Sequence, residues 1–423
     1  MKEQLLELLQ QNARLTNAEL AVMLGVTETD VTDAIRELEE GGVCLNYGCI
    51  PIKLLLHAAR MYEAFQLEAP QFGIDAERFQ WDFETLWKRK ERTVARLRAA
   101  LRQRLQAVDV ELVNAEAAVE SKQPGGFLIA AGNSRYKARQ LIRATGGKPH
   151  IPAIPGIAEA LAAGFAVTPR ELPAAVPPSL LILGGGAAGI ELATFFRIAG
   201  SAVTIVEAGN ALGGRLDFRL AQFLTSALEK RGVKIHTAST ISRIGDGWAT
   251  LADGSRLAAS KLLITCGWEA AAAVPASPGV QVIGDAAGRH FLAPVAEWEA
   301  EAAVDRLCGI SPERTLPVVA RAIFAIPEVA TAGMTLDEAR KMDTAAYERQ
   351  LPLTLSGRYM AEHPLENGFG VGVYSGAGEL LGVHLAGSGA AELAGAFQIN
   401  GRAVMPPHPS LSEFNRLLQA GES

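Results

Sequence analysis

The chain has 423 residues, a formal net charge of −6, 20% charged residues and 42 glycines. That length holds two to four domains, and the composition suits close-packed helix and sheet layers with tight turns rather than disorder. An acidic balance offers nothing to nucleic acid or an anionic membrane, and neither a leader nor an apolar run of about 18 residues stands out, so a cytoplasmic protein without a membrane segment is expected.

Residues 1–40 read as three short helices. EQLLELLQQ is apolar at Leu5, Leu6, Leu8 and Leu9. LTNAELAVMLG has a cap at Thr16, a face of Leu20, Ala21 and Leu24, and a stop at Gly25. The third helix starts at Thr27 and buries Val31, Ile35 and Leu38. The stretch resembles the helix-turn-helix of the Lrp/AsnC family of transcriptional regulators. Its third helix sets Glu28, Asp30, Asp33, Glu37, Glu39 and Glu40 against Arg36 alone, which repels phosphates, so DNA binding is not expected.

From Gly41 the pattern changes. GGVCLNYGCIPIK places Cys44 and Cys49 five positions apart, with Gly42 ahead of them and Gly48 between, and IKLLLHAARMYEAF continues as a helix. The spacing allows a local disulfide, and a helix start favours a thiolate through its dipole and backbone donors. WDFETLWKRKERTVARLRAALRQRLQ is a long charged helix whose Lys/Arg run reads as a solvated face. VELVNAEAAVE and GFLIAAG read as short strands, and ARQLIRATGGKPHIPAIPG as a strand entering a turn with Thr145 in it. PAAVPPS, around residue 174, is a connector.

SLLILGGGAAGIELATFFRIAGSAVTIVEAGNALG is the most legible stretch. A buried strand runs into Gly184, Gly186 and Gly189, then a helix, then a second strand ending at Glu207. Gly184 permits a tight turn, Gly186 lets backbone approach a pyrophosphate, and Gly189 lets helix pack on strand. Glu207 would accept from both ribose hydroxyls and repel a 2′-phosphate, which favours NAD over NADP. Alternating strands complete this domain. VQVIGDAAG is a strand ending in Gly284 and Asp285, with a helix after it. The last domain begins near VVARAIFAIPEVATAGMTLDEA and includes two alternating strands joined by a Gly-rich turn in FGVGVYSGAGELLGVHLAG. Near the end His408 precedes Pro409, with Glu413 five positions on. Cys266 and Cys308 are isolated and read as buried reduced thiols, and the remaining histidines are scattered, so no metal site is expected.

These parts line up with one family. GGVCLNYGCIPIK, ATGGKP, LILGGGAAGIELA, VIGDAAG, LAPVAEWEA, FAIPEVATAGMT and HPSLSE, in order from residue 41 to residue 413, resemble the pyridine nucleotide-disulfide oxidoreductases, and within them the dihydrolipoamide dehydrogenases most closely. The resemblance implies an α/β fold with a Rossmann-like NAD-binding domain at 174–279. It also implies an incomplete FAD-type domain at 41–173 and 280–310 and an α+β dimerisation domain at 311–423, behind the small helical module at 1–40. It implies that Cys44 is the interchange thiol and Cys49 the thiol facing the flavin. Lys53 and Glu191 would form the ion pair beside the flavin ring, and Asp285 would bind the ribityl chain, with Gly42, Thr145 and Gly284 around the cofactor. His408 and Glu413 would be the acid/base pair, reaching the other subunit's cysteines in a homodimer with composite active sites.

The departure lies at the front. The family opens with a strand, a Gly-rich turn and a helix that grip the FAD pyrophosphate, and residues 1–40 read as helices instead. FAD is therefore an open cofactor and NAD the firmer one. The leading function is an NAD-linked flavoprotein passing electrons from a small dithiol or lipoyl-type substrate through Cys44 and Cys49 to flavin and NAD⁺. A non-enzymatic redox- or NAD-sensing protein, or a dithiol protein using another cofactor, fits the same residues.

Overall fold

A computed structural model describes residues 42–75, 80–108, 110–271, 279–310 and 315–410. The helix-turn-helix-like stretch and Glu413 lie outside the described residues. The described chain divides into two compact units, one of residues 43–94 and 140–410 and one of residues 42 and 95–139. The second falls within the segment that the sequence assigns to the FAD-type domain.

The larger unit is organised on a five-stranded parallel sheet, in the order Ala166–Val167, Lys261–Ile264, Ser179–Leu183, Ala202–Val206, Lys234–His236. Leu180 to Leu183 are buried without alternation, as a central strand covered on both faces requires. At its end Gly184 has φ +106°, where a Cβ would lie 2.6 Å from the Thr265 carbonyl oxygen. Gly189 sits so close to the strand that a Cβ there would be 2.0 Å from the Gly184 carbonyl oxygen. Around Gly186 nothing lies within 4 Å of a Cβ position, and no side chain caps the helix Ala187–Ile198 that it starts. Two glycines thus close the turn and the third leaves its mouth open to an anion.

The helix Cys49–Leu67 packs along the helix Ala187–Ile198. Ile52, Leu55, Leu56 and Ala59 share one core with Ile190, Leu192, Phe195 and Phe196. Burial at about 1.5–3 kcal/mol per large side chain makes this the main attachment of the cysteine-bearing segment. The same core includes Ile323, Ala325, Val329 and Ala386 from an antiparallel five-stranded sheet. That sheet runs Arg321–Ile323, Val329–Gly333, Leu380–Ala386, Phe369–Tyr374, Tyr347–Pro352, and includes the hairpin expected from FGVGVYSGAGELLGVHLAG.

The described remnant of the FAD-type sheet is slight: Val280–Val282 pairs in parallel with Leu141–Arg143, and Trp268–Ala270 pairs antiparallel with Gly147–Pro149. In the smaller unit, Ala117–Gln123, Gly126–Ala131 and Ser134–Ala138 form a meander. The strand expected from VELVNAEAAVE starts only at Ala117. Its partner ends at Ala131, opposite Ala117, and so leaves nothing for residues 110–116 to pair with.

Candidate functional site

Cys44 lies in the short helix Val43–Asn46, and Cys49 is the first residue of the helix Cys49–Leu67. The amides of Tyr47 and Gly48 both donate to the Val43 carbonyl oxygen, at 2.9 and 2.8 Å, folding the connecting loop back on itself. A Cβ at Gly48 would lie 3.3 Å from that oxygen, so a glycine suits the position. The Cys44 and Cys49 sulfurs and a ring nitrogen of His408 all lie within 4.8 Å of one another.

No bond joins the two sulfurs in this structure. Cys44 donates to Cys49, and their titrations part in consequence. The Cys49 thiol is brought down to about 7, first by that hydrogen bond and then, against burial, by the charges of Lys53 and His408. The Cys44 thiol is pushed up, first by the same bond, then by burial and the neighbouring sulfur's charge. One sulfur is thus a thiolate near neutrality while the other keeps its proton.

The resemblance implied that the other subunit's histidine faces the cysteines. In this structure the chain's own His408 does so. Met405 donates to the Val318 carbonyl oxygen (2.8 Å) and accepts from the Ala320 amide (3.0 Å), and residues 404–407 are buried. This anchor, three residues before His408, leads the chain back to its own thiols.

Lys53, one turn after Cys49, donates to both oxygens of Glu191 at 3.0 and 2.8 Å. Glu191 is buried in the helix Ala187–Ile198 and also accepts from the Phe324 amide at 2.9 Å. The Lys53 ammonium lies 4.7 Å from the centre of the Phe324 ring. Two residues 138 positions apart are therefore brought together as expected. Phe324 was missed, although it lies within the FAIPEVATAGMT motif, because an aromatic beside a strand end reads first as core.

A single cavity of about 710 Å³ is lined by Cys49, Lys53 and Glu191 and equally by Gly186, Glu207 and Cys266. The Glu207 carboxylate accepts from the Gly185 and Gly209 amides, each at 2.6 Å, which fixes it beside the glycine turn. Cys266 is half-buried, and burial together with the Glu207 charge pushes its thiol up to about 11. Cys308, expected buried, is exposed because it ends the helix Ala293–Cys308 just before the left-handed Gly309.

Asp285 bears on the flavin. It is half-buried, its carboxyl is pushed up by burial and by Glu299, and it accepts no hydrogen bond among the described residues. Glu299, another residue that sequence reasoning missed, accepts from the Gly284 amide at 2.7 Å and pairs with Arg289 at 2.7 Å. A Cβ at Gly147 would come 3.1 Å from the Glu269 carbonyl oxygen and 3.3 Å from the Asp285 Cβ, so the strand is tight at this glycine. A carboxylate without donors suits a polyhydroxyl chain, and Lys53 suits an electron-accepting ring. These residues fit the ring and ribityl parts of FAD. Thr145 and Gly42 are exposed.

Residues 15–289 match the family described as pyridine nucleotide-disulphide oxidoreductase, and residues 319–414 match its dimerisation domain. The first match begins inside the stretch that resembles a helix-turn-helix. A dihydrolipoyl dehydrogenase from Chlorobaculum tepidum is 30% identical over 420 residues, covering 89% of this chain and 88% of its own. One from Bacillus subtilis is 26% identical over 436 residues, with 90% of each covered. The HOCl-induced flavoprotein disulfide reductase RclA from Escherichia coli superposes with a TM-score of 0.72 at 22% identity, covering 90% of this chain and 92% of its own. Its Cu(II) complex gives the same score at 21% identity.

Proposed function

The chain belongs to the pyridine nucleotide-disulphide oxidoreductases, as an NAD-linked flavoprotein enzyme acting on sulfur groups, and we propose that it oxidises a small dithiol of the dihydrolipoyl class with an acid/base group from its own chain. The family uses FAD and NAD, and the match to its dimerisation domain makes the protein a homodimer. No described helix is long and apolar enough to cross a membrane, and a centre that must cycle as a dithiol suits the reducing cytoplasm.

The observation that carries this reading is the shared cavity, with Cys49 and the Lys53–Glu191 pair at one end and the Gly186 turn and Glu207 at the other. Lys53, Glu191 and Asp285 would hold the ring and ribityl parts of FAD, which would supply a two-electron acceptor for the thiols, and the glycine turn with Glu207 would hold NAD⁺ as the final hydride acceptor. The oxidised centre holds a Cys44–Cys49 bond, and a substrate thiolate attacks Cys44, releasing Cys49 as the thiolate. The second substrate sulfur then attacks the first, expelling Cys44 and leaving as a disulfide. The substrate loses two electrons and two protons, and the cysteines gain the electrons. His408 takes the substrate's proton at its ring nitrogen and returns one to the Cys44 sulfur. Low-pKa Cys49 is the better leaving group, and the protonated Cys44 is the one reformed for exchange.

NAD⁺ reduction by dihydrolipoamide tests the substrate class. His408→Ala should lower turnover by roughly 10² to 10⁴ with NADH affinity unchanged. The chain that supplies the histidine is tested by mixing subunits. If His408 serves its own chain, co-refolded Cys44→Ser and His408→Ala subunits stay inactive. If it serves the partner, mixed dimers regain about a quarter of wild-type turnover.

A further inference from the structure

We propose, on the dinucleotide reading above, that Trp268 and Phe291 form an aromatic wall for the nicotinamide ring, and that this wall makes the site hold NAD⁺ in preference to NADH. Both rings line the cavity that Gly186 and Glu207 share with Cys49, and both are half-buried.

The backbone sets their placement. Trp268 pairs with Pro149 across the antiparallel ribbon, and side chains of directly paired residues stand on one face. Pro149 lines the same cavity, so that face is the one turned to it. The neighbours on the ribbon go to the other face, where Glu269 meets Lys148 at 3.2 Å and His150 at 3.0 Å. Phe291 reaches the cavity at φ +50°, a left-handed conformation that a bulky side chain adopts only at a cost.

Trp268 stands between the two ends of the cavity. Cys266, two residues before it, feels the Glu207 charge, and Ala270, two residues after it, has its Cβ 4.0 Å from where a Cβ of Gly288 would lie, just beyond Asp285. A dinucleotide with its adenosine ribose at Glu207 and its pyrophosphate at the Gly186 turn carries its nicotinamide past Trp268 towards Lys53 and Glu191. The faces of other tryptophans are occupied: Trp81 stacks on Tyr62 and Phe83, Trp87 lies under Lys90, and Trp248 lies under Arg256. Among the described residues, Trp268 and Phe291 have no such ring or cation partner.

The ring's charge selects the oxidation state. The nicotinamide of NAD⁺ is positively charged and that of NADH is neutral. The electron-rich faces of Trp268 and Phe291 therefore attract the first by a cation–π interaction and only stack on the second. Arrival of the hydride cancels the charge and weakens the hold, which favours release of the product NADH and its replacement by NAD⁺.

The test is calorimetric titration of the full-length dimer with three probes. NAD⁺ and ADP-ribose are added to oxidised protein, and NADH to protein kept reduced by excess dithionite, so that no hydride moves. Trp268→Leu should weaken NAD⁺ roughly 10-fold and NADH by no more than about 3-fold, while ADP-ribose, which lacks the nicotinamide, binds as before. Unchanged ADP-ribose binding also shows that the variant is folded. Trp268→Phe keeps an aromatic face and should recover most of the NAD⁺ affinity, and Phe291→Leu should lose less than Trp268→Leu. Wild-type NAD⁺ affinity in Trp268→Leu overturns the proposal. So does an equal weakening of NAD⁺ and NADH, or a loss of ADP-ribose binding alongside them. In each of these cases ADP-ribose binding by the wild type leaves the dinucleotide reading intact, whereas wild-type protein that binds neither NAD⁺ nor ADP-ribose refutes both.

Discussion

At the nucleotide end of the cavity Gly184, Gly186 and Glu207 come from one strand–turn–helix–strand run, whereas the cluster at the thiol end, Cys44, Cys49, Lys53, Glu191, Phe324 and His408, comes from four separate parts of the chain. The first end is positioned by local backbone geometry, since the turn closes only with glycine at two of its positions. The second is positioned by tertiary packing, because the helix Cys49–Leu67 is fixed against the helix Ala187–Ile198 by a shared apolar core. A locally encoded site survives changes elsewhere in the fold. A packed one depends on every element that meets there, and Glu191 is where the two ends join.

That difference predicts unequal responses to substitution. The largest belongs to the junction. Lys53→Met leaves the buried Glu191 carboxylate without its cation and should cost about 3 kcal/mol, read as a lower thermal midpoint, with the Glu191→Gln, Lys53→Met double variant recovering much of it. An unchanged midpoint in the single variant would mean that water or a neighbouring group replaces the ammonium.

A smaller effect is expected at the nucleotide end. Glu207→Gln keeps the side chain's shape and removes the charge facing a 2′-phosphate. The preference for NADH over NADPH should fall roughly 10-fold, about 1.4 kcal/mol, with a modestly lower midpoint because the Gln amide nitrogen cannot accept from the second backbone N–H. Tighter NADPH than NADH binding by the wild type would show that this acid does not meet the ribose.

The smallest is a pH effect at the thiol end. Alkylation of Cys49 in the reduced protein should rise through about pH 7 and level off above it, while Cys44 reacts only at higher pH. Cys49 is lowered on folding, so its contribution to stability is present above the ordinary thiol value near 9 and is lost as pH falls through about 7. Cys44 is raised, so its contribution is present below that ordinary value and lost as pH climbs past it. The two oppose each other in stability, which makes reactivity the sharper readout.

The same contrast explains what could be read from residues alone. Gly184, Gly186 and Gly189 could each be given a role in advance, because a turn's sterics are written in consecutive positions. The spacing of Cys44 and Cys49 allowed a local pair, whereas the Lys53–Glu191 pair was reachable only through resemblance to a family. Phe324 and Glu299 were not reached, since their roles are a backbone amide donated to Glu191 and a carboxylate facing Asp285, and neither leaves a periodic mark. His408 stands beside the cysteines of its own chain in this structure, and the pairing of Met405 with Val318 and Ala320, across a long stretch of chain, leads it there. The expected strand at residues 110–116 failed because apolar alternation without a partner makes no ladder.

The central claim is that Cys44 and Cys49 form one redox couple with His408 beside them. Mass-spectrometric mapping of disulfides in the protein, oxidised mildly after full reduction, tests it most directly. The account predicts one bond, Cys44 to Cys49, with Cys266 and Cys308 recovered as thiols. Recovery of Cys44 and Cys49 both as thiols, or of either one joined to Cys266 or Cys308, would contradict it.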